Sequence, residues 1–268
     1  MTRLGVLLGA AALAACEVPF DPRIPSDDVV SLSGYLDASA DTQWVRVERL
    51  DATTGTSGRP LPITVTLVDA ASGAEAALVQ RVWPTVVGPA HLFWTTAGVA
   101  PGRSYRLHVD TEAGAATATV VTPDTADYVV SVESGPQSCP AIVTVSGDVD
   151  VADVQAVFRV VRAGRPSDVR ISHAARVERA PDGTARVSLY YADDADEALA
   201  VGQILSSQIR VSVSATEWPV HPGASIESVL LEPTFGAEGQ IEGGVGFVGG
   251  VVSEWYAYVP PIEPCSRP

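Results

Sequence analysis

Apolar and polar residues alternate along many short segments of the chain. In one of them, Val45 and Val47 fall on one side of an extended backbone, while Arg46 falls on the other. A period of two residues is that of a β-strand with one buried face. The segments predicted as strands span residues 29–36, 44–50, 63–67, 76–82, 105–109, 117–121, 128–132, 142–149, 154–161, 169–178, 186–191, 209–214, 226–231 and 251–256.

One stretch, residues 193–205, departs from this alternation and has helical character. It opens with four acidic residues in five positions, and carboxylates are stabilising in the first turn of a helix. Elsewhere the strands are separated by turn signals. Pro181 and Gly183, for example, combine a fixed φ with a residue that tolerates positive φ, which predicts a hairpin turn.

Short strands with frequent turns predict an all-β protein built of sandwiches. Residues 101–107 fit the pattern P-G-x-x-Y-x-L, which resembles the start of a late strand in immunoglobulin-like and carboxypeptidase-regulatory-like sandwiches. The turn around Pro123 is the best boundary between units. We therefore expect an N-terminal sandwich of this kind over residues 29–123, followed by a second β-rich domain over residues 124–268.

The first sixteen residues have the layout of a bacterial lipoprotein signal. Arg3 supplies one positive charge, and residues 4–12 form an apolar run too short for a permanent transmembrane helix. The run closes on residues 13–16 (LAAC), which resemble a lipobox, where the signal is cut and the new terminal cysteine is lipidated. This pattern predicts a signal peptide at residues 1–15 and a lipid on Cys16. The alternative is a soluble exported protein with an incidental cysteine.

A tether is predicted between the lipid and the first strand. Residues 16–28 contain three prolines and four acidic side chains, a composition typical of an extended linker. One acyl chain holds a protein on a membrane only marginally, but bacterial lipoproteins typically carry several on this cysteine. The expected location is therefore the bacterial cell envelope.

The two remaining cysteines are even in number and fit an oxidising compartment. Cys139 and Cys265 are predicted to form a disulfide that ties the start of the second half to the C-terminus. Two free thiols, or a metal pair that lacks further ligands, are the alternatives.

Charge excludes two classes of partner. Removing residues 1–15 takes away Arg3 and no acid, which leaves 16 basic against 32 acidic side chains and a net charge of −16. Such a surface repels nucleic acid and anionic lipid headgroups. The high acidity is also a simple source of solubility.

Two short patterns could indicate a cofactor or a metal. Residues 244–249 fit G-x-G-x-x-G, but a strand-forming sequence follows where dinucleotide binding needs a helix. Close approach of neighbouring strands explains these glycines better. Asp148, Asp150 and Asp153 could bind calcium, but the glycine and glutamate of an EF-hand loop are missing. We predict no cofactor and no metal site.

Catalytic and sugar-binding patterns are also weak. The four histidines are His91, His108, His173 and His221. None lies at a spacing that suggests a partner, and no hydrolase or metalloprotease signature occurs, so we predict no catalytic residue. Four tryptophans could form a platform on which sugars stack, or could pack inside the fold. They are Trp44, Trp94, Trp218 and Trp255.

Four features together resemble the domain-of-unknown-function 4249 lipoproteins of Bacteroidota-like bacteria. They are Cys16, the opening strand at residues 31–36, the pattern at residues 101–107, and residues 241–247 (IEGGVGF), which are similar to a "GG-x-G-x-F" segment near that family's end. The resemblance spans most of the mature chain. It implies a component of an outer-membrane uptake system that works with a TonB-dependent receptor, and it supplies no established catalytic residues.

These observations favour a non-enzymatic, lipid-anchored binding or accessory protein of the outer membrane. Its expected partners are the membrane, through Cys16, and a receptor barrel or an extracellular glycan or peptide. A hydrolase or carbohydrate-active enzyme on a β scaffold is the first alternative. A structural spacer of the envelope is the second.

Overall fold

The computed structural model describes residues 29–50, 58–85, 88–215, 218, 225–231 and 241–267. The predicted signal peptide, Cys16, the rest of the tether and His221 lie outside the described residues. The strands are β1 (Val30–Asp37), β2 (Gln43–Arg49), β3 (Thr64–Asp69), β4 (Glu75–Ala77), β5 (Val79–Thr85), β6 (Gly88–Thr95), β7 (Ser104–Thr111), β8 (Gly114–Val121), β9 (Tyr128–Glu133), β10 (Ala141–Gly147), β11 (Asp150–Arg162), β12 (Arg165–Ser172), β13 (Glu178–Arg179), β14 (Ala185–Leu189), β15 (Gln203–Ser214), β16 (Ile241–Glu242) and β17 (Gly244–Ala257). They are accompanied by α1 (Tyr191–Val201), α2 (Ser228–Leu231) and a 3-10 turn (Ala174–Arg176).

The strands form three sheets. A central sheet has eight strands in the order β12-β11-β15-β17-β1-β2-β6-β5. A five-stranded sheet has the order β16-β8-β7-β3-β4, and a four-stranded sheet has the order β13-β14-β10-β9. The prediction of an all-β sandwich fold is confirmed.

Both smaller sheets pack against the same face of the central sheet, which we call its inner face. The five-stranded sheet buries residues such as Leu107 against Leu32 and Val45. The four-stranded sheet buries residues such as Val143 against Phe158 and the rest of a second core. The result is two sandwiches side by side that share one sheet.

Strand β17 joins the two sandwiches. It pairs in parallel with β1 over residues 244–251 and antiparallel with β15 over residues 251–257. The chain leaves the first sandwich after β8, near the predicted division at Pro123, and β16 and β17 return to it. Residues far beyond that division therefore complete the N-terminal sandwich.

The glycine-rich segment lies inside β17, and more strand follows it. The helix that a dinucleotide site requires is therefore missing at this position. A Cβ atom on Gly246 would collide with the backbone oxygen of Leu32 on β1, and one on Gly249 would collide with the ring of Trp218. These glycines permit close packing, as predicted.

Three predicted elements differ in the structure. Residues 226–231 are not a strand, because they leave the sheet and end in α2. The strand predicted at 169–178 stops at Ser172, where a 3-10 turn follows. The helix predicted at 193–205 is confirmed in its first part, but Gly202 ends it and the remainder belongs to β15.

Cys139 and Cys265 form the predicted disulfide, with their Cα atoms 5.9 Å apart. The bond holds the C-terminal segment beside β9 and β10. Along the same path, the backbone N–H of Val259 donates to Ser134 Oγ, and that of Ile262 donates to the backbone oxygen of Pro136. Within the described ranges, no helix is both long and apolar enough to cross a membrane.

Candidate functional site

One face of the central sheet points away from both cores, and we call it the outer face. It carries an apolar cluster, an ion-pair network and an open aromatic surface. Its middle is covered by Trp218 and by residues 225–231. A small apolar cluster lies beneath them, in which the Trp218 ring meets the Phe247 ring edge-on at a centroid distance of 5.0 Å. Ile226 and Val229 complete this cover.

An ion-pair network centred on Arg210 lies beside the cluster. One guanidinium nitrogen of Arg210 donates to Asp37 Oδ2 at 2.9 Å, and the other donates to Glu227 Oε1 at 2.7 Å. Ser253 Oγ donates to the same oxygen of Asp37 at 2.8 Å. Arg210 and Asp37 are only 7% and 4% exposed. Burial alone would lower the pKa of Arg210, but Tyr35, Glu227 and Asp37 raise it above its usual value.

The network continues to a buried carboxyl group. Gln155 Nε2 donates to Glu227 at 2.6 Å and to Asp153 at 2.9 Å. Asp153 also accepts from Ser172 Oγ at 2.7 Å and from the backbone N–H of Ile226 at 2.9 Å. Burial raises the pKa of Asp153, and these hydrogen bonds oppose the shift. The network thus fastens residues 226–227 to the sheet.

The three aspartates weighed as a calcium site do not converge. Asp153 lies in this network, whereas Asp150 pairs with Arg179 and accepts from the backbone N–H of Trp218. Asp148 lines a cleft of about 270 Å³ elsewhere. Among the described residues, no group of three or more His, Cys, Asp or Glu side chains is placed to hold a metal ion.

A small pocket opens beside the network, lined by Tyr35, Trp44 and Arg210 among others. Burial, with a further contribution from Glu227, raises the pKa of Tyr35 to about 12, so the phenol is neutral at physiological pH. The volume of about 70 Å³ accommodates a few water molecules. Ligand pockets are usually several times larger. The pocket is therefore smaller than the sites that usually hold a ligand, and its polar lining belongs to the network.

An open aromatic surface lies farther along the outer face, over β2, β6 and β5. We call this surface the tryptophan face; it consists of Trp44, Trp94, Val79, Arg81 and Trp83. Trp44 and Trp94 are directly opposite across two strands, with ring centroids 5.9 Å apart. The Arg81 guanidinium lies 4.7 Å from the centroid of the Trp83 ring. Val79 is 56% exposed and Trp83 44% exposed.

The four tryptophans predicted as a possible sugar-binding platform do not lie together. Trp44 and Trp94 come together, but Trp218 is buried in the apolar cluster. Trp255 is 47% exposed at the far end of β17, where its ring lies 5.8 Å from the Arg210 guanidinium. Trp83 is not among the four, because apolar and polar residues alternate too weakly in its segment for the sequence to show which side is exposed.

Two histidines have carboxylate neighbours that sequence spacing did not reveal. His173 is fully buried, with Nε2 3.3 Å from Asp194 Oδ2. Tyr258 donates to the same oxygen at 3.0 Å. His91 is equally buried, with Nε2 4.0 Å from Glu48 Oε2. Both histidine side chains are buried inside the fold.

A third histidine forms a line of groups on the open surface of the five-stranded sheet. His108 Nδ1 lies 3.0 Å from Thr117 Oγ1, and its Nε2 lies 3.2 Å from Asp110 Oδ1. The order hydroxyl, imidazole, carboxylate is that of a nucleophilic triad. The side chains of His108 and Asp110 are 42% and 60% exposed, however, so these groups lie in solvent rather than in an enclosed site.

Comparisons with known proteins provide no family. No protein-family model matches the chain, and no curated protein matches it either. A solved structure of pullulanase from Anoxybacillus sp. LM18-11 aligns at 12% identity with a TM-score of 0.26, over 82% of this chain and 28% of the pullulanase chain. This chain therefore spans less than a third of the pullulanase.

Two further solved structures align equally weakly. The FN1–FN3 domains of chicken CNTN1 align at 11% identity with a TM-score of 0.21, over 72% of this chain and 63% of theirs. A fragment of titin aligns at 11% identity with a TM-score of 0.22, over 87% of this chain and 67% of its own. Scores this low carry no functional argument, so the all-β fold rests on the strands themselves.

Proposed function

We propose that this chain is a lipid-anchored protein of the bacterial outer membrane that acts by binding a partner or ligand. The observation that carries the proposal is the lipobox at residues 13–16, which closes a short signal-like run. The disulfide between Cys139 and Cys265 is in keeping with an exported protein. Cys16 is the residue that would carry the lipid, and residues 17–28 would connect it to β1.

A binding role agrees with where the fold places its charged and aromatic groups. Arg210, Asp37 and Glu227 satisfy one another in the network, so their charges serve the packing of residues 225–231. The tryptophan face instead leaves Val79 56% and Trp83 44% exposed, so much of their apolar surface contributes nothing to folding stability. Exposed aromatic patches of this kind commonly mark interaction sites.

The first test is copurification of the full-length protein from crosslinked, solubilised outer membranes. We expect a membrane receptor, of the TonB-dependent type that the family resemblance implies, to be recovered with it. The matched control is Cys16→Ser, which should lose both membrane attachment and the receptor. Recovery of no membrane partner, together with no binding on a glycan or peptide array, would remove the support for a binding role and favour an envelope spacer.

A hydrolase on a β scaffold is the second candidate, and it rests on the alignment of Thr117, His108 and Asp110. Substituting Thr117→Ala removes the hydroxyl that would act as the nucleophile while keeping the strand. If the wild-type protein hydrolyses a glycoside or ester substrate and this variant does not, the hydrolase hypothesis replaces the hypothesis of a binding protein. Equal rates in both proteins would exclude this triad.

A further inference from the structure

We infer that the tryptophan face binds a glycan that carries carboxylate groups. This inference rests on the proposed binding function and adds the chemical class of the ligand. Two observations support it: three tryptophans lie on one open face, and Arg81 lies among them. The inference commits to an acidic polysaccharide, and other polyanions are outcomes of the test.

The geometry of the face suits an extended ligand. Val79 and Trp94 are cross-strand partners, as are Trp83 and Ala90, so the tryptophans occupy two ends of the same surface. Ala90 and Trp94 are four positions apart, which corresponds to about 13 Å along an extended strand. Arg81 lies between these two ends. A chain of several sugar rings can therefore contact both aromatic ends and the arginine at once.

The chemistry of the face suits a sugar ring. A tryptophan ring has a negative face, and the C–H groups on one side of a pyranose carry the complementary partial positive charge. Trp83 and Trp94 thus provide stacking positions. Sugar hydroxyls would remain in contact with water, since the face is open.

Arg81 distinguishes acidic from neutral sugars. Among the described residues, no carboxylate lies within ion-pairing distance of its guanidinium, which lies over the Trp83 ring. Glu48, an acid on β2, is already held by Arg46 Nε at 3.0 Å and by the backbone N–H of His91 at 3.1 Å. An arginine fork binds a carboxylate with two parallel hydrogen bonds.

Charge complementarity supports this assignment. The chain has 32 acidic and 17 basic side chains, so its surface as a whole repels anions. An exposed arginine beside aromatic rings is a local exception on such a surface. A short oligosaccharide can place one carboxylate at this point, whereas a nucleic acid duplex, with one phosphate charge per about 1.7 Å of its axis, would be repelled by the remainder.

The test uses full-length protein in a detergent without sugar headgroups and measures binding to a panel of uronate oligosaccharides by calorimetry. The panel contains galacturonate, guluronate, mannuronate and glucuronate oligomers, with methyl-esterified oligogalacturonate as the uncharged match. We expect at least one uronate to bind. Arg81→Gln should weaken that binding by about tenfold or more, and should leave binding of the ester unchanged.

Two tryptophan variants complete the test. Trp83→Ala should weaken binding of both the acid and the ester, because stacking does not depend on charge. Trp255→Ala is the matched control, since Trp255 is exposed to a similar extent but lies off the tryptophan face, and it should bind normally. Thermal unfolding of each variant confirms that the fold is retained.

Several results would overturn the inference. These are binding of no uronate tighter than about 1 mM, equal binding of acid and ester in the wild type, or displacement of a bound uronate by single-stranded DNA. If no uronate binds while the protein still copurifies with a membrane receptor, the ligand assignment fails and the proposed function stands. If neither occurs, both fail.

Discussion

Replacing Arg210 with methionine tests whether the ion-pair network stabilises the fold. The substitution keeps the apolar stem and removes the guanidinium, which leaves the carboxylate of Asp37 without its charge partner. Removing one member of a buried ion pair typically costs about 3–5 kcal/mol. Asp37 retains hydrogen bonds from Ser39 N at 2.9 Å and Ser253 Oγ at 2.8 Å, so we expect a loss of about 3 kcal/mol, at the lower end of this range.

The measurement is the free energy of unfolding from urea denaturation. Arg106→Met is the matched control, because Arg106 is exposed on β7, and it should change stability by no more than about 0.5 kcal/mol. Combining Arg210→Met with Asp37→Asn removes the stranded charge, so the double variant should be more stable than Arg210→Met alone. A loss below about 1 kcal/mol for Arg210→Met, or a double variant no better than the single one, would refute this account of the network.

Three further predictions concern other buried groups. Burial raises the pKa of Asp153, so the folded state binds more protons than the unfolded state, and stability falls as pH rises from the unfolded pKa through the raised folded value. Asp153→Asn should abolish that decline in urea denaturation across acidic to neutral pH; an unchanged slope would contradict the assignment. Replacing both Cys139 and Cys265 with serine should lower the free energy of unfolding by about 5 kcal/mol on the chain-entropy model, and a variant as stable as the wild type would contradict this. Tyr258→Phe removes the donor to buried Asp194 and should cost about 1–3 kcal/mol without loss of the circular dichroism spectrum; no measurable cost would show that the bond is not stabilising.

The strands could be predicted because their signal is local. Alternation with a period of two places Val45 and Val47 in the core and Arg46 opposite, which is what the structure shows. Strand β6 was not predicted because residues 88–95 are apolar without clear alternation. The strand predicted at residues 226–231 is wrong because a short apolar run has the same pattern in a strand as in a segment that packs on top of a sheet.

The candidate site could be predicted only in part, because its contacts join distant segments. Asp37 and Arg210 are 173 residues apart, and the strands that bring them together are neighbours only through β17. The disulfide could be predicted because only two cysteines remain once Cys16 is assigned to the lipid. In an exported protein, such a pair is expected to be oxidised. Trp83 and its neighbour Arg81 acquire meaning only once the register of β5 on β6 is known.

The central claim, a lipid-anchored envelope protein, is tested most directly by metabolic labelling with a radioactive fatty acid. The account predicts that the wild-type protein incorporates label, that intact mass shows a chain beginning at lipidated Cys16, and that Cys16→Ser is unlabelled. Labelling that persists in Cys16→Ser, or a wild-type chain that is exported and cut without any lipid, would contradict it.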